Sequence, residues 1–382
     1  MLPGEMTLPE GILPLAGQAV NQLFQMVSFE ADTWLAHELL DRLKELQRLY
    51  FQGQYATHNC PSCGASRIIR KGWRNRTLGT SRGKIRLLVL QACCKACGRV
   101  FRPLNDVLGL PFARRFLDEL VEKGIKLGTQ FPFARSANAI RELTSGSISA
   151  EGIRQKIAER ARSIELPDDV SGQTVMVDAT KAKAGPKERG VPIHLAITAA
   201  PGPFVAGRPS IVKKLVHLHA GGIEPLKSRL KELSPYIVVH DGGDDLAGCA
   251  KHVQRCRWHL SHQLGHYLWQ DGVAHKDRGV YQDHLKTILW IGRNRKQRYD
   301  QFVKELESFG FRTAAGHLKA AGNEAFTFLK APGITYSTTS PLEREMRELN
   351  RRADVGVRWS TLGVENVLKV LFHYRLNLKP ET

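Results

Sequence analysis

Three acidic residues and two pairs of cysteines are the groups in this sequence whose types and spacing could do chemistry. Asp178 closes the run Val175-Met-Val, Asp241 closes Tyr236-Ile-Val-Val-His, and Glu343 follows Ser340-Pro341-Leu342. A carboxylate at the rim of an apolar strand is held rigidly and loses part of its hydration, which suits a divalent cation. Three such groups brought together form a two-metal site for phosphoryl transfer, in which one ion prepares the nucleophile and the other stabilises the leaving oxygen. Two Mg2+ (or Mn2+) ions are the cofactors expected there. Taken singly the acids are not diagnostic, since Asp at a strand end is usually a cap or turn former. Cys60-Pro-Ser-Cys63-Gly and Cys94-Lys-Ala-Cys97-Gly are a stronger local signal. Two short, matched knuckles offer four thiolates to one structural Zn2+, and only Cys94, not its neighbour Cys93, gives the two-residue spacing. Cys256 and His259 also have ligand spacing but no second pair nearby, so Cys256 reads as a buried cysteine on a strand, with His259 turned toward the acids.

The elements that must position the acids follow from the apolar pattern. Val175–Asp178, Ile193–Thr198, Ile211–His217 and Tyr236–His240 read as strands, with a helix from about Glu224 to Leu233. Lys181–Gly190 reads as a charged hairpin turn. Three antiparallel strands, a crossover helix and a fourth strand beside the first set Asp178 and Asp241 side by side, the order of an RNase H-like core. Asp244–His252 reads as a short helix. Residues 262–335 read as an all-helical insertion between the second and third acids. Ser340 is a cap candidate and Pro341 suits the first helical position, so Glu343 falls in a first turn, where an ionised carboxylate is favoured. Glu345 and Glu348 lie on the same helix as rivals for the third position, or as surface acids paired with Arg344, Arg347, Arg351 and Arg352. About 200° of helical rotation separates Glu343 from Glu345, so one site cannot use both.

The front half looks like equipment for holding a polyanion. The chain has 382 residues, with 56 Lys+Arg against 37 Asp+Glu and a formal charge of +19. Such an excess favours nucleic acid as partner. Between the knuckles stand Arg67, Arg70, Lys71, Arg74, Arg76, Arg82, Lys84 and Arg86 with no acid among them, beside Trp73. Strands are expected at Ser66–Trp73 and Lys84–Ala92, completing a zinc ribbon whose one-signed charge suits phosphate contacts. Three helices follow, the first from Arg114, the second from Phe133, and the third from Ala150 behind the N-cap candidate Ser149. In the third, Ile153, Ile157, Ala161 and Ile164 face inward, leaving Arg154, Gln155, Ala158 and Arg162 on a face suited to the major groove. Ahead of the ribbon, Phe29–Tyr50 has helical spacing with a stripe of Trp34, Leu35, Leu39, Leu43 and Leu46, and residues 1–20 read as a loose arm.

The domain plan is thus an arm and helix over 1–57, a zinc ribbon over 58–105, a helix-turn-helix-like DNA-binding domain over 106–166, and an α/β catalytic domain over 173–382. Leu166–Gly172 is the linker. Seven cysteines, an odd number, suit a reducing cytoplasm and a metal site rather than a disulfide framework. No run of about 20 apolar residues offers a membrane span, and a cytoplasmic, nucleoid-associated protein is expected.

Residues 173–378 resemble the DDE transposases of prokaryotic insertion sequences, in particular the Mutator-like branch. The resemblance rests on Val-Asp-Ala-Thr, Val-Val-His-Asp-Gly-Gly, Cys-Arg-Trp-His, and Thr-Thr-Ser-Pro-Leu-Glu-Arg with Asn-Arg-Arg after it. It implies that Asp178, Asp241 and Glu343 bridge two Mg2+ ions, with Cys256 and His259 in support. Water would cut at the ends of a mobile element, and the freed 3′-OH would then attack target DNA. It also implies double-stranded DNA as partner, a dimer or higher homo-oligomer on paired ends, and neither membrane nor small-molecule substrate. Bacterial members often carry Asn where this chain has Ser340. A non-transposing RNase H-fold nuclease or resolvase, or a catalytically inactive zinc-ribbon DNA-binding regulator, would share these features.

Overall fold

The structure, a computed structural model, describes residues 34–51, 59–103, 105, 115–183, 190–205, 207–243, 245–331, 334, 336–355 and 358–377. The arm over 1–20, the first residues of the helix expected from Phe29, Arg114 itself, and the tip of the Lys181–Gly190 turn lie outside the described residues. The helix expected from Arg114 begins only at Asp118, because Phe116 is held extended in a bridge to Gly79. The fold is mixed α/β. The chain divides into two compact units, Met1–Lys156 and Ile157–Thr382, a division that falls ahead of the Leu166–Gly172 linker.

In the first unit, helix α1 (Trp34–Phe51) lies on a long hairpin of β1 (Ile68–Thr80) and β2 (Gly83–Cys94), with the short β3 (Val100–Phe101) on the far side of β2. β1 runs past Trp73, where the expected strand ended, because Arg74–Thr80 pairs residue by residue with Val89–Gly83. Alternation along β2 buries Ile85, Leu87 and Val89 against Leu39 and Leu43 of α1, and leaves Lys84, Arg86 and Leu88 outside. Trp34, expected in the same stripe, is 75% exposed; at 3.6 residues per turn it stands roughly 180° from Leu43. Gln47 of α1 completes the outer edge of β2. Its Oε1 accepts from the Leu90 N–H (2.8 Å) and its Nε2 donates to the Leu88 carbonyl (2.9 Å), replacing a missing strand.

Helices α2 (Asp118–Gln130), α3 (Phe133–Leu143) and α4 (Ala150–Ser163) follow. Ser149 caps α4, its Oγ accepting from the Gly152 N–H at 3.0 Å, and Ile153, Ile157, Ala161 and Ile164 are buried as their spacing requires. The ribbon hairpin and α2–α3 pack together. Gly79 donates to the Arg115 carbonyl (2.8 Å) and accepts from the Leu117 N–H (2.9 Å), and the Ser81 hydroxyl donates to Glu119 (2.6 Å). Gly146, in the turn between α3 and α4, rests on the hairpin tip so closely that a Cβ would strike the Thr80 carbonyl oxygen.

The second unit is built on a five-stranded sheet of β4 (Thr174–Ala182), β5 (Val191–Val205), β6 (Arg208–Ala220), β7 (Ile237–His240) and β8 (His252–Arg255), in the order β6-β5-β4-β7-β8. The first three strands are antiparallel; β7 and β8 run parallel to β4. Helix α5 (Glu224–Leu233) makes the crossover, and its Leu226, Leu230 and Leu233 pack against Val175, Val177, Ala196 and Val238. Residues 245–251 form turns, not the expected short helix; Leu246 and Cys249 tuck beneath α5, leaving no helical face to bury. Then come α6 (Arg257–Gln270), α7 (His275–Trp290), α8 (Arg295–Ser308), α9 (Arg312–Ala321), a 3-10 turn (Gly322–Phe326) and the one-turn α10 (Thr327–Lys330). These share a separate core in which Leu264, Leu285, Leu289, Phe302, Leu306 and Leu318 are buried. Helices α11 (Ser340–Ala353) and α12 (Thr361–Phe372) return to the sheet, α11 on β4 and α12 on β6. Among the described residues no helix is long and apolar enough to cross a membrane.

Candidate active site

Strand alternation decides where the first acid points. Val175 and Val177 face α5, so Met176 and Asp178 face the opposite side, where α11 packs on β4. Helix α11 begins at Ser340 with Thr339 as its cap residue, one position earlier than expected, and Glu343 occupies its first turn. The same side receives the first turn of α6. Its cap residue is Cys256, which therefore stands at a strand-to-helix junction and not on a strand, because β8 ends at Arg255. Ligand atoms of Asp178, His259 and Glu343 lie within 4.8 Å of one another. Asp241 does not belong to that mutual group. The pairing of Val177 with His240 sets it beside Asp178, just past the end of β7 and in the middle of β4, and its Oδ1 accepts from the Gly243 N–H at 2.9 Å.

The electrostatics follow from this crowding. Burial, then the Asp241 charge, pushes the Asp178 carboxyl up to about 6, against the opposing pull of the Ala179 N–H and His259. Burial works against a charge on His259, but the Cys256 sulfur, then Asp178 and Glu343, outweigh it and lift the imidazole to about 9. The imidazolium is held by a relay. Its Nδ1 lies 3.2 Å from Thr339 Oγ1, and the Thr339 hydroxyl and N–H both donate to Cys256 Sγ, at 3.4 and 3.3 Å. His259 Nε2 is 3.1 Å from Glu343 Oε1, but off the hydrogen-bonding direction, so that buried oxygen has no hydrogen-bond partner. A buried carboxylate oxygen without a hydrogen-bond partner, close to a second carboxylate, has the chemistry of a hard-cation ligand. Asp178 and Glu343, together with His259, form a group that could hold a metal ion. Thr339 was not singled out from sequence; its only signal was its place just ahead of Ser340-Pro341.

The rival acids on α11 are otherwise employed. Glu345, expected at the surface if not at the site, is buried and bonded to Lys213 (2.9 Å) and Arg375 (3.2 Å). Glu348 pairs with Arg351 at 2.7 Å. The turn carrying Asp241 is fixed by a neighbour from β8. Gly242 has φ +97, and the Arg255 guanidinium occupies the space any side chain there would need. Glu324 holds that arrangement, 3.6 Å from Arg255 Nε and 3.3 Å from His240 Nε2.

In the first unit Cys60, Cys63, Cys94 and Cys97 form one group able to hold a structural metal such as zinc, with Cys60 and Cys97 sulfurs 3.7 Å apart and Cys63 and Cys94 sulfurs 3.6 Å apart. The N–H groups of Cys97 and Ala96 favour the Cys94 thiolate over the opposing effect of burial. Cys93 points elsewhere, to the Gly98 carbonyl.

Of the cations expected at DNA, Arg67, Arg70, Lys71, Arg74, Arg82, Lys84 and Arg86 are exposed, with Arg70 over the Trp73 ring at 5.5 Å. Arg76 is a correction. It pairs with Leu87 across the hairpin and so shares the inner face, where its guanidinium meets Asn105 and is buried. Arg154, Gln155 and Arg162 are exposed on α4, but Arg154 and Gln155 both bond to Glu151. No protein-family model matches this sequence, and none of the curated proteins is similar to it.

Proposed function

We propose that the chain is a DDE transposase, a metal-dependent polynucleotidyl transferase that cuts at the ends of its element and joins the freed 3′ ends to target DNA. The observation that carries this reading is the convergence of Asp178 and Glu343 with His259, beside Asp241 just past the end of the adjoining parallel strand. On this reading the five-stranded sheet is an RNase H-like core and α6–α10 are its helical insertion. Asp178, Asp241 and Glu343 would hold two Mg2+ ions, which when bound supply activation of the attacking oxygen and neutralisation of charge on the phosphorane. The chain's own residues do the rest. The His259 imidazolium, anchored through Thr339 to Cys256, keeps Glu343 turned into the site and offsets the mutual repulsion of the acids. Arg255, locked over Gly242, fixes the turn that presents Asp241.

The partner is double-stranded DNA, bound by the basic N-terminal unit, and the chain acts as a homo-oligomer so that two ends are processed together. The deciding experiment incubates the purified chain and Mg2+ with duplexes spanning the DNA that flanks its own gene, plus a target plasmid. Expected are nicks at a repeated boundary and 3′ ends joined to the plasmid, with both lost in Asp178→Asn and Glu343→Gln while duplex binding persists. Cutting without joining would point to a nuclease or resolvase, and an active Asp178→Asn protein would overturn the site.

A further inference from the structure

The N-terminal unit opens a cleft of about 800 Å³ between α1, β2 and the turn that joins α3 to α4. His37 of α1 lines one side, Lys84 and Arg86 of β2 another, and Arg141 with Ser145 and Ser147 the third. The geometry points to this cleft as the seat of one phosphate backbone of a DNA duplex, a reading that rests on the proposed function only for its choice of polyanion.

Three observations carry it. First, the cleft is a product of packing, not of loose surface. Alternation along β2 sends Lys84 and Arg86 outward together while Ile85 and Leu87 are buried. Gly146, pressed on the hairpin tip, then brings the end of α3 and the following turn alongside. Second, its charge is unspent. Several helical cations elsewhere in this unit are neutralised within one turn: Arg42 by Glu38, Arg48 by Glu45, Lys123 by Glu119 and Arg154 by Glu151. Lys84, Arg86 and Arg141 are exposed and, among the described residues, their side chains form no ion pair or hydrogen bond, and no Asp or Glu lines the cleft. Cations on two walls with no acid between them leave a field that only an outside anion can satisfy. Third, the lining has no Phe, Tyr or Trp on which an unpaired base could stack, and no Asn or Gln to read a base edge. It offers ammonium, guanidinium and hydroxyl groups, which contact phosphate. A single strand would want aromatic platforms, and three cations spread over two walls outreach a lone phosphate ion.

The cleft therefore positions the duplex without reading it. The test uses the full chain loaded with zinc and compares the triple variant Lys84→Ala, Arg86→Ala, Arg141→Ala with the parent. Binding is measured to the gene-flanking duplex and to a scrambled duplex across a salt series. Each lost phosphate contact removes about 0.9 from the slope of log affinity against log salt. The triple variant should lose about two to three in slope, and at least about tenfold in affinity, equally for both duplexes. Zinc content and melting temperature should match the parent, and the charge-keeping variant Lys84→Arg, Arg86→Lys should keep the slope. An unchanged slope in the triple variant overturns the inference, as does a loss confined to the gene-flanking duplex or tighter binding to single-stranded DNA or inorganic phosphate. Failure of strand cleavage with the slope change intact would remove the transposase reading and leave the cleft standing; a parent that binds no duplex removes both.

Discussion

At the scale of single residues, the site is arranged at the expense of stability. Asp178 is pushed up to about 6 by burial and by Asp241, from an ordinary 3.8. Between those two values the metal-free folded chain holds more protons on this group than the unfolded chain does. The stability it contributes is therefore full below the lower value and lost as pH rises through the upper one. Metal-free Asp178→Asn should then be more stable than the parent at neutral pH, by ~3 kcal/mol, with no such difference at acidic pH. Thermal melting with chelator against pH checks this, and equal melting curves at all pH values would refute it. Mg2+ should raise the melting temperature of the parent and leave the variant unmoved, since a ligand stabilises only the state that binds it. Arg76 gives the contrary lesson about residues. Its neighbours in the basic run are exposed, yet strand alternation turns this one guanidinium inward to Asn105.

Among elements, the junction between hairpin and helices matters most. Gly146 leaves no room for a methyl group against the backbone of Thr80 and Ser81, whereas a Cβ at Gly124 in α2 would meet only Ile153 and Ile148, at 3.5 to 3.7 Å. Gly146→Ala should cost on the order of 1–3 kcal/mol through overpacking against rigid backbone. Gly124→Ala should be neutral or stabilising, because alanine is the better helix former by ~1 kcal/mol. Denaturant midpoints of the two variants test the pair, and similar midpoints would show that the turn yields. Spacing in the sequence foretold the elements themselves well: Phe133–Leu143 and Glu224–Leu233 are helices over those spans. Turns with no periodicity were not legible, which is why 245–251 and the cap at Thr339 departed from expectation.

For the whole molecule, the division into two compact units has a measurable consequence. The four thiols that could hold zinc all lie in the first unit, while the second is built on its own sheet and helical cores. Metal binding to such a knuckle pair is coupled to folding. A strong chelator, or Cys60→Ser, should therefore lower one calorimetric transition and leave a second in place. A single transition shifted as a whole would show that the units do not unfold separately. The excess of positive charge belongs to this scale too. In the first unit some cations are neutralised by acids a turn away, while others stay open along the ribbon and around the cleft.

By itself the sequence determined what depends on local periodicity and spacing: the two cysteine knuckles, the apolar runs that lead into Asp178 and Asp241 (though β4 continues past Asp178 to Ala182), the crossover helix, and the first-turn position of Glu343. Only the tertiary structure decided which of these groups meet. It joined Glu343 and His259 to Asp178 through two helix starts packed on one side of β4, and set Asp241 beside them without joining the same tight group. It also took Glu345 out of contention by burying it with Lys213 and Arg375. Period and spacing say which face a side chain shares. The distance between residues far apart in the chain is set by how whole elements pack, and no local pattern carries that information.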